Sequence, residues 1–555
     1  MEKLWYKSYN KDVPHTLQYE KITMPQALTR SVHQFPDKTA LIFIDARISY
    51  QQLDRMVNRF ANALIDLGVK SGDKVAMLMP NMPQLVAATY GAWRAGAVVV
   101  MNNPLYTDKE LEYQFNNSES TFLVTLDLLG PRMIALRPKT PIRHIVIAHI
   151  RDHLKFPKKQ LLPIVAKNKH RHIPPTPQVY EWMDLLKKYP ESPPKVPVDF
   201  ESLACLQYTG GTTGVSKGVM LSHANLSKNV QQTIAFFPGF HPGEFTLLGT
   251  LPFFHSFGLT ACMDYCIWLG WTDVLIPRPE PDALLQAIHK YKVNFFPAVP
   301  TMYVGVLNHP KASRYNLTSI KGCFSGAAPL PVEVIKEFES KTGSQICEGY
   351  GLSETSPIVT TNPYGGVTKV GSVGLPLPDT DLKIVDLTDG QKEMPVGEAG
   401  EIIIKGPQVT SGYYKMPEET AIAIRDGWLY TGDIGKMDED GYLYIVDRKK
   451  DMIIAGGYNI YPREIDEILF EHPKILEACA VGIPDPYRGE TVKAFVVVKP
   501  GETVTAEEVI QYCQGKLAKY KVPKSVEFMA SLPKSGVGKI LRKELRAMEM
   551  AKGKK

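Results

Sequence analysis

Cysteine is scarce and follows no paired pattern: seven residues, at positions 205, 262, 266, 323, 347, 479 and 513, are odd in number, scattered and mostly set among apolar neighbours. That distribution excludes a disulfide framework and predicts buried free thiols in a reducing, cytosolic compartment. Cys262 and Cys266 have the spacing of a metal pair, but no second pair or nearby histidine set accompanies them, which favours burial. The opening MEKLWYKSYNKDVPHTL has no apolar h-region, so no export signal is expected. Internal repeats and disordered tracts are missing apart from a basic AKGKK tail. Long apolar runs are missing too. The nearest, LLGTLPFFHSFGLTACMDYCIWLGW, holds a proline, several glycines, His255 and Asp264, and reads as a buried segment beside a site rather than a membrane span. Net charge is small: +6 over 555 residues does not imply nucleic acid.

What is present is core-forming material. With 44% apolar and 22% charged residues over this length, the chain predicts a globular, multidomain protein. Leu53, Val57, Phe60, Leu64 and Leu67 have helical spacing, Gly68 is placed to end that helix, and VAMLM at 75–79 reads as a buried strand. A further helix and AVVVM at 97–101 follow. This βαβ rhythm recurs at 293–297 and 346–350, predicting a large α/β body with mostly parallel sheets. Basic residues and prolines gather between 132 and 195, as in DHLKFPKKQLLPIVAKNKHRH; the stretch reads either as a surface meeting anionic lipid or as a solvated insertion. The proline-rich passage from HIPPTPQVYEW to ESPPKVPVDF reads as a loop. After Arg448 the elements shorten: strands at 475–483 and 492–498, helices near 462–470 and 505–517, with Pro462 at a first helical position. A small α+β domain of about one hundred residues is expected there.

Chemistry concentrates in five segments. In YTGGTTGVSKGV, residues 208–219, glycines admit an anion to the backbone, hydroxyls donate hydrogen bonds and Lys217 supplies charge. It is not a Walker loop, since Lys217 lies between Ser216 and Gly218 instead of between Gly and Ser or Thr; a structural Gly/Thr loop is the other reading. In LPFFHSFG, His255 stands among aromatics and is read either as a core histidine or as part of a site. EGYGLSETSP, residues 348–357, combines Tyr350, able to pack on a base, with the carboxylate of Glu354, a hard oxygen ligand for magnesium, and the hydroxyl of Thr355. It equally suits a strand ending in a turn. DGWLYTGDIGKMDEDGYLYIVDRKKD, residues 426–451, offers Asp433 and Arg448 to ribose hydroxyls and reads as a β-hairpin turning at Asp440-Gly441. PKSGVGKILR, residues 533–542, carries Lys539 between glycine and isoleucine near the end.

In this order and spacing the five segments resemble the adenylate-forming superfamily of acyl-CoA synthetases, peptide-synthetase adenylation domains and luciferases, over nearly the whole chain. Residues 426–450 are similar to the signature of fatty-acyl-CoA synthetases, and the basic insertion is similar to that of bacterial members of that branch, which act on long- and medium-chain acids. The resemblance implies an α/β fold with a large N-terminal AMP-binding domain (1–449) of mostly parallel sheets flanked by helices plus a β-barrel-like subdomain. A small mobile α+β C-terminal domain (450–555) would carry the catalytic lysine. ATP, Mg2+ and coenzyme A are the implied cofactors, and a hydrophobic carboxylic acid the implied substrate. Lys539, His255, Glu354 and Thr209 are the implied catalytic residues, with Glu354 the metal ligand. Nucleotide binding falls to Thr209, Gly210, Gly211, Thr212, Thr213, Gly214 and Lys217, to Gly326, Ala327 and Ala328, to Gly349, Tyr350, Gly351 and Thr355, and to Asp433 and Arg448. Lys450 is the hinge, and Gly456 and Gly457 pass the pantetheine arm. The sequence departs from some long-chain enzymes in having Ser256-Phe257-Gly258-Leu259 where they carry a gating tryptophan. Phe254, Phe257, Leu259, Val299, Met302 and Tyr303 read either as the lining of an apolar acid pocket or as core packing, and the acid is linear, alicyclic or aromatic. Transfer to a carrier protein, flux toward ATP formation, luciferase-like oxygenation and a non-catalytic lipid binder are the alternative functions. A monomer or homodimer with peripheral contact at the inner membrane face is expected.

Overall fold

The computed structural model describes residues 3–154, 170–209, 216–328, 330–455, 458–535 and 539–552. Among them four sheets organise the chain. The helix expected from Leu53 to Leu67 runs Tyr50–Asp66 and starts on a capping box, Gln52 N–H donating to Ser49 Oγ (3.2 Å) and Ser49 N–H to Gln52 Oε1 (2.9 Å). It buries Leu53, Val57, Phe60 and Leu64, and Gly68 leaves the helical region at φ +95°. Lys74–Leu78 and Val98–Met101 pair in parallel, and their apolar runs reflect burial on both sheet faces.

These strands lie inside a seven-stranded sheet, in the order Val179–Glu181, His144–Ala148, Phe122–Leu126, Lys74–Leu78, Val98–Met101, Leu203–Thr209 and Lys217–Ser222. Only the last pair is antiparallel. The proline-rich passage read as a loop contributes Val179–Glu181 as an edge strand. Pro174, Pro175 and Pro177 precede its hydrogen-bonded register, which is why they do not interrupt it. A nine-stranded sheet is parallel from Gln345–Gly351 through Gly322–Ser325, Phe295–Ala298, Thr246–Gly249 and Thr272–Leu275 to Thr39–Phe43, with antiparallel strands at both edges. One large apolar core joins both sheets and their helices. No described helix is long and apolar enough to cross a membrane. The apolar stretch after Leu247 instead forms a strand and short helical turns, with Asp264 buried and accepting from Tyr90 Oη at 2.9 Å.

The subdomain expected to be barrel-like is a five-stranded antiparallel sheet built on Asp381–Val385, Gly400–Lys405 and Trp428–Met437. Leu443–Arg448 folds back on Trp428–Met437 through the anticipated Asp440-Gly441 turn. Gly441 sits at φ +83°, and a Cβ there would lie 2.4 Å from Trp5 Cα, so both conformation and space require glycine. A fourth sheet, around Gly489–Val498 and Ile475–Asp485, has its own apolar clusters and is flanked by the helices Pro462–Phe470, Ala506–Gln514 and Arg542–Lys552. All seven cysteines are free and buried.

Candidate active site

A cavity of about 950 Å3 opens where parallel strands of both large sheets end. Ligand sites in α/β sheets form at such carboxyl ends because the strands deliver side chains there without having to pair them. Leu203–Thr209 brings Thr209, Gly322–Ser325 leads into Gly326 and Ala327, and Gln345–Gly351 ends on Gly349, Tyr350 and Gly351; all six line the cavity. Ala327 is held at φ +68°, an uncommon conformation for alanine that keeps the segment turned at the cavity edge. A Cβ on Gly351 would lie 1.8 Å from the Pro357 carbonyl oxygen, so backbone approach fixes that position as glycine.

Thr209 and Lys217 are cross-strand partners at the base of the glycine-rich hairpin. Lys217 is ion-paired with Glu419 and its ammonium lies 5.0 Å from the Tyr413 ring centroid. Tyr413 in turn donates to Glu354 Oε1 at 2.8 Å. Glu354 lines the cavity, and burial raises its carboxyl pKa above the ordinary value. A shielded carboxylate with a single side-chain hydrogen bond meets the need of a hard divalent cation for oxygen, so the site fits magnesium.

The hairpin register sets Asp433 opposite Arg448, whose Nε lies 3.2 Å from Asp433 Oδ1. Tyr350 Oη donates to Asp433 Oδ2 at 2.7 Å, so an aromatic face, a carboxylate and a guanidinium form one unit. Lys539 reaches the same cavity from the C-terminal region, its N–H donating to Ser535 Oγ at 3.2 Å. Burial first, then the Arg448 charge, brings its ammonium down to about 8. His255 also lines the cavity; burial and the Lys539 charge lower it to about 4, leaving a neutral imidazole. Lys450 is lowered by burial and by Arg448.

Two expected residues stand apart. Thr355 Oγ1 donates to Pro357 O at 2.6 Å, closing its own turn, and neither it nor Ala328 lines the cavity. Gly210, Gly211, Thr212, Thr213, Gly214, Gly456 and Gly457 lie outside the described residues. The apolar end divides its candidates. Phe254 and Phe257 belong to it, but Leu259, Val299, Met302 and Tyr303 pack into the core, Tyr303 donating to Phe296 O at 2.9 Å. Phe237, Phe240, Leu247, Trp271 and Phe324 supply that wall instead. Tyr413 and Glu419 were also missed; the run GYYKMPEE places an aromatic and an acid together, but nothing in its spacing ties it to a loop 200 residues earlier.

One cavity lined by charged groups and by aromatic and aliphatic side chains, at the strand ends of two large sheets, is the site of an α/β enzyme whose substrates have both characters. The model described as AMP-binding enzyme matches residues 28–414, that of the AMP-binding enzyme C-terminal domain matches 464–539, and the chain belongs to this family. It is similar to a long-chain-fatty-acid--CoA ligase of Bacillus subtilis, 46% identical over 547 residues that cover 98% of each chain. A long-chain-fatty-acid--CoA ligase of Escherichia coli O6:H1 is 39% identical across 100% of this chain and 99% of its own. Among solved structures, the anthranilate CoA ligase AuaEII in complex with anthranoyl-AMP superposes with a TM-score of 0.87 at 26% identity, covering 98% of this chain and 99% of that one.

Proposed function

We propose that this protein is an AMP-forming fatty acid:CoA ligase that uses ATP, Mg2+ and coenzyme A. The observation that carries the reading is the single cavity whose polar end holds Glu354, Asp433, Arg448 and Lys539 and whose far end is aromatic and aliphatic. Such a site suits a polar, charged substrate and an apolar one held side by side.

A carboxylate is a poor electrophile because its charge is delocalised and its leaving group would be oxide. In the first step a carboxylate oxygen attacks the α-phosphorus of ATP; the acyl–O–P bond forms, the α–β bond breaks, and pyrophosphate leaves with the electron pair. Two anions must meet for this, so cationic and hydrogen-bonding groups dominate the acceleration. Lys539 lies between the acid and the α-phosphate. The Thr209–Lys217 hairpin takes the outer phosphates, Lys217 exchanging Glu419 for them. Tyr350 and the Gly326–Ala328 segment flank adenine, Asp433 and Arg448 take the ribose hydroxyls, and Thr355 steadies the turn beside the α-phosphate. Magnesium held by Glu354 would neutralise phosphate charge. In the second step the CoA sulfur attacks the acyl carbon, the C–S bond forms, AMP leaves and the thiol proton is lost. Residues 450–555 turn about Lys450 between steps, withdrawing Lys539 and bringing Gly456 and Gly457 to the pantetheine path, while neutral His255 borders the acyl entrance.

Buried free thiols support a cytoplasmic location, and basic residues 132–195 support peripheral contact with anionic lipid. A panel of acids of varied chain length and ring content, scored by AMP release with and without CoA, tests the function. Preference for long linear acids with CoA-dependent thioester formation supports it. Preference for ring acids, or turnover only with a carrier protein, would replace it with the corresponding alternative.

A further inference from the structure

Away from the large cavity, the strand Phe122–Leu126 ends on Asp127, a buried carboxylate that meets two histidines from either side of residues 155–169. Asp127 Oδ2 lies 2.8 Å from His170 Nδ1 and 3.1 Å from His149 Nδ1. The three ligand atoms fall within 4.8 Å of one another. Three ligands at zinc distances of about 2.1 Å in a tetrahedron stand roughly 3.4 Å apart, so closing on an ion requires only small side-chain shifts.

Two further observations point to a cation. His149 is 8% exposed, and its Nδ1 faces Asp127 Oδ2 at 3.1 Å in a contact that a metal would replace. Its other ring nitrogen, Nε2, lies 2.7 Å from Glu181 Oε2. A carboxylate on the distal nitrogen of an imidazole fixes the tautomer that presents the near nitrogen to a metal, the usual support around bound zinc. The main chain is also set: His149 N–H donates to Asp152 Oδ2 at 2.8 Å, and Gln84 Nε2 donates to His149 O at 2.9 Å. Beside the cluster lies a second cavity of about 490 Å3, lined by His149, His170 and Glu181, with room for a water as fourth ligand.

We infer that Asp127, His149 and His170 form a divalent transition-metal site of the zinc class, oriented by Glu181, at the carboxyl ends of the neighbouring strands Phe122–Leu126 and His144–Ala148. Two of its ligands follow the paired parallel strands Phe122–Leu126 and His144–Ala148, and the third, His170, lies on the chain that leads into the neighbouring strand Val179–Glu181. None of the three lines the large cavity, which separates this site from the magnesium carboxylate of Glu354.

The test is calorimetric titration of chelator-treated full-length protein with Zn2+ at pH 8, with Co2+ absorption to read coordination geometry. One ion per chain, tetrahedral cobalt bands and a raised thermal midpoint on zinc addition are expected. His170→Asn should abolish stoichiometric binding, and Glu181→Gln should weaken it about 10- to 100-fold, as loss of outer-shell support does. Fatty acid ligation by both variants should remain at the wild-type level, which also certifies their folding; should His170→Asn not fold, Glu181→Gln carries the test alone. Zinc binding that is absent from the wild type, or unaltered in the variants, would overturn the site and leave the cluster as an ion-paired network.

Discussion

Raising the pH should switch off adenylation through one side chain. Lys539 has an ammonium brought down to about 8 by burial and by Arg448. With that value about nine-tenths of it is charged at pH 7 and about one-tenth at pH 9. If its charge bridges acid and α-phosphate, kcat/KM for acid-dependent pyrophosphate release falls about tenfold between pH 7 and pH 9 beyond any CoA-step effect. The sign follows from the group: a base with a lowered pKa loses its charge as pH rises through about 8, and activity goes with it. His255, at about 4, is neutral throughout this range and adds no competing change. Lys539→Arg, whose guanidinium stays charged, should flatten the profile even if its rate is lower. Lys539→Ala should cost about 10²- to 10³-fold in adenylation and largely spare thioester formation from supplied acyl-adenylate. The assay is stopped-flow pyrophosphate release over pH 6–10. A wild-type profile flat to pH 10, or equal loss of both half-reactions in Lys539→Ala, would refute the assignment.

Other consequences follow from the same geometry. Asp433→Ala should raise KM for ATP about 10- to 100-fold in steady-state assays if the carboxylate takes the ribose hydroxyls as proposed, and it leaves Tyr350 and Arg448 without their partner. Leu247→Trp should fill the apolar end and shift kcat/KM toward shorter acids, at about 1–3 kcal/mol of stability; an unchanged chain-length profile would place the acyl chain elsewhere. Gly351→Ala should lower the urea midpoint by an amount equivalent to about 1–3 kcal/mol or more, since the new Cβ meets the Pro357 carbonyl oxygen.

The local rhythm of the fold was legible where periodicity and punctuation agree. The Tyr50–Asp66 helix, the Lys74–Leu78 strand, the Asp440-Gly441 turn and Pro462 at a helix start all follow from side-chain spacing and backbone chemistry. Glu354, Asp433 and Arg448 do line one cavity, but their segments alone suited a turn and a hairpin equally well, and it was the resemblance of five ordered motifs that singled them out. The apolar half of the site was not legible. Phe237 ends a helix, Leu247 and Phe324 lie on different strands and Trp271 precedes another, so only the assembled sheet brings them to one wall. An aromatic residue facing a cavity and one facing the core carry the same sequence signal, which is why Tyr303 read equally as pocket lining and as core, where it lies. Thr355 shows a second limit: a motif supplies the hydroxyl, but the turn it closes decides where the hydroxyl points.

The central claim is that an acyl-adenylate is made in the cavity shared by Lys539 and Glu354. Its most direct test is single-turnover reaction of ATP with a long-chain fatty acid labelled with 18O in the carboxylate, followed by mass analysis of the products. One labelled oxygen recovered in AMP after CoA is added is the predicted result. Unlabelled AMP, or label appearing in inorganic phosphate with ADP, would contradict it.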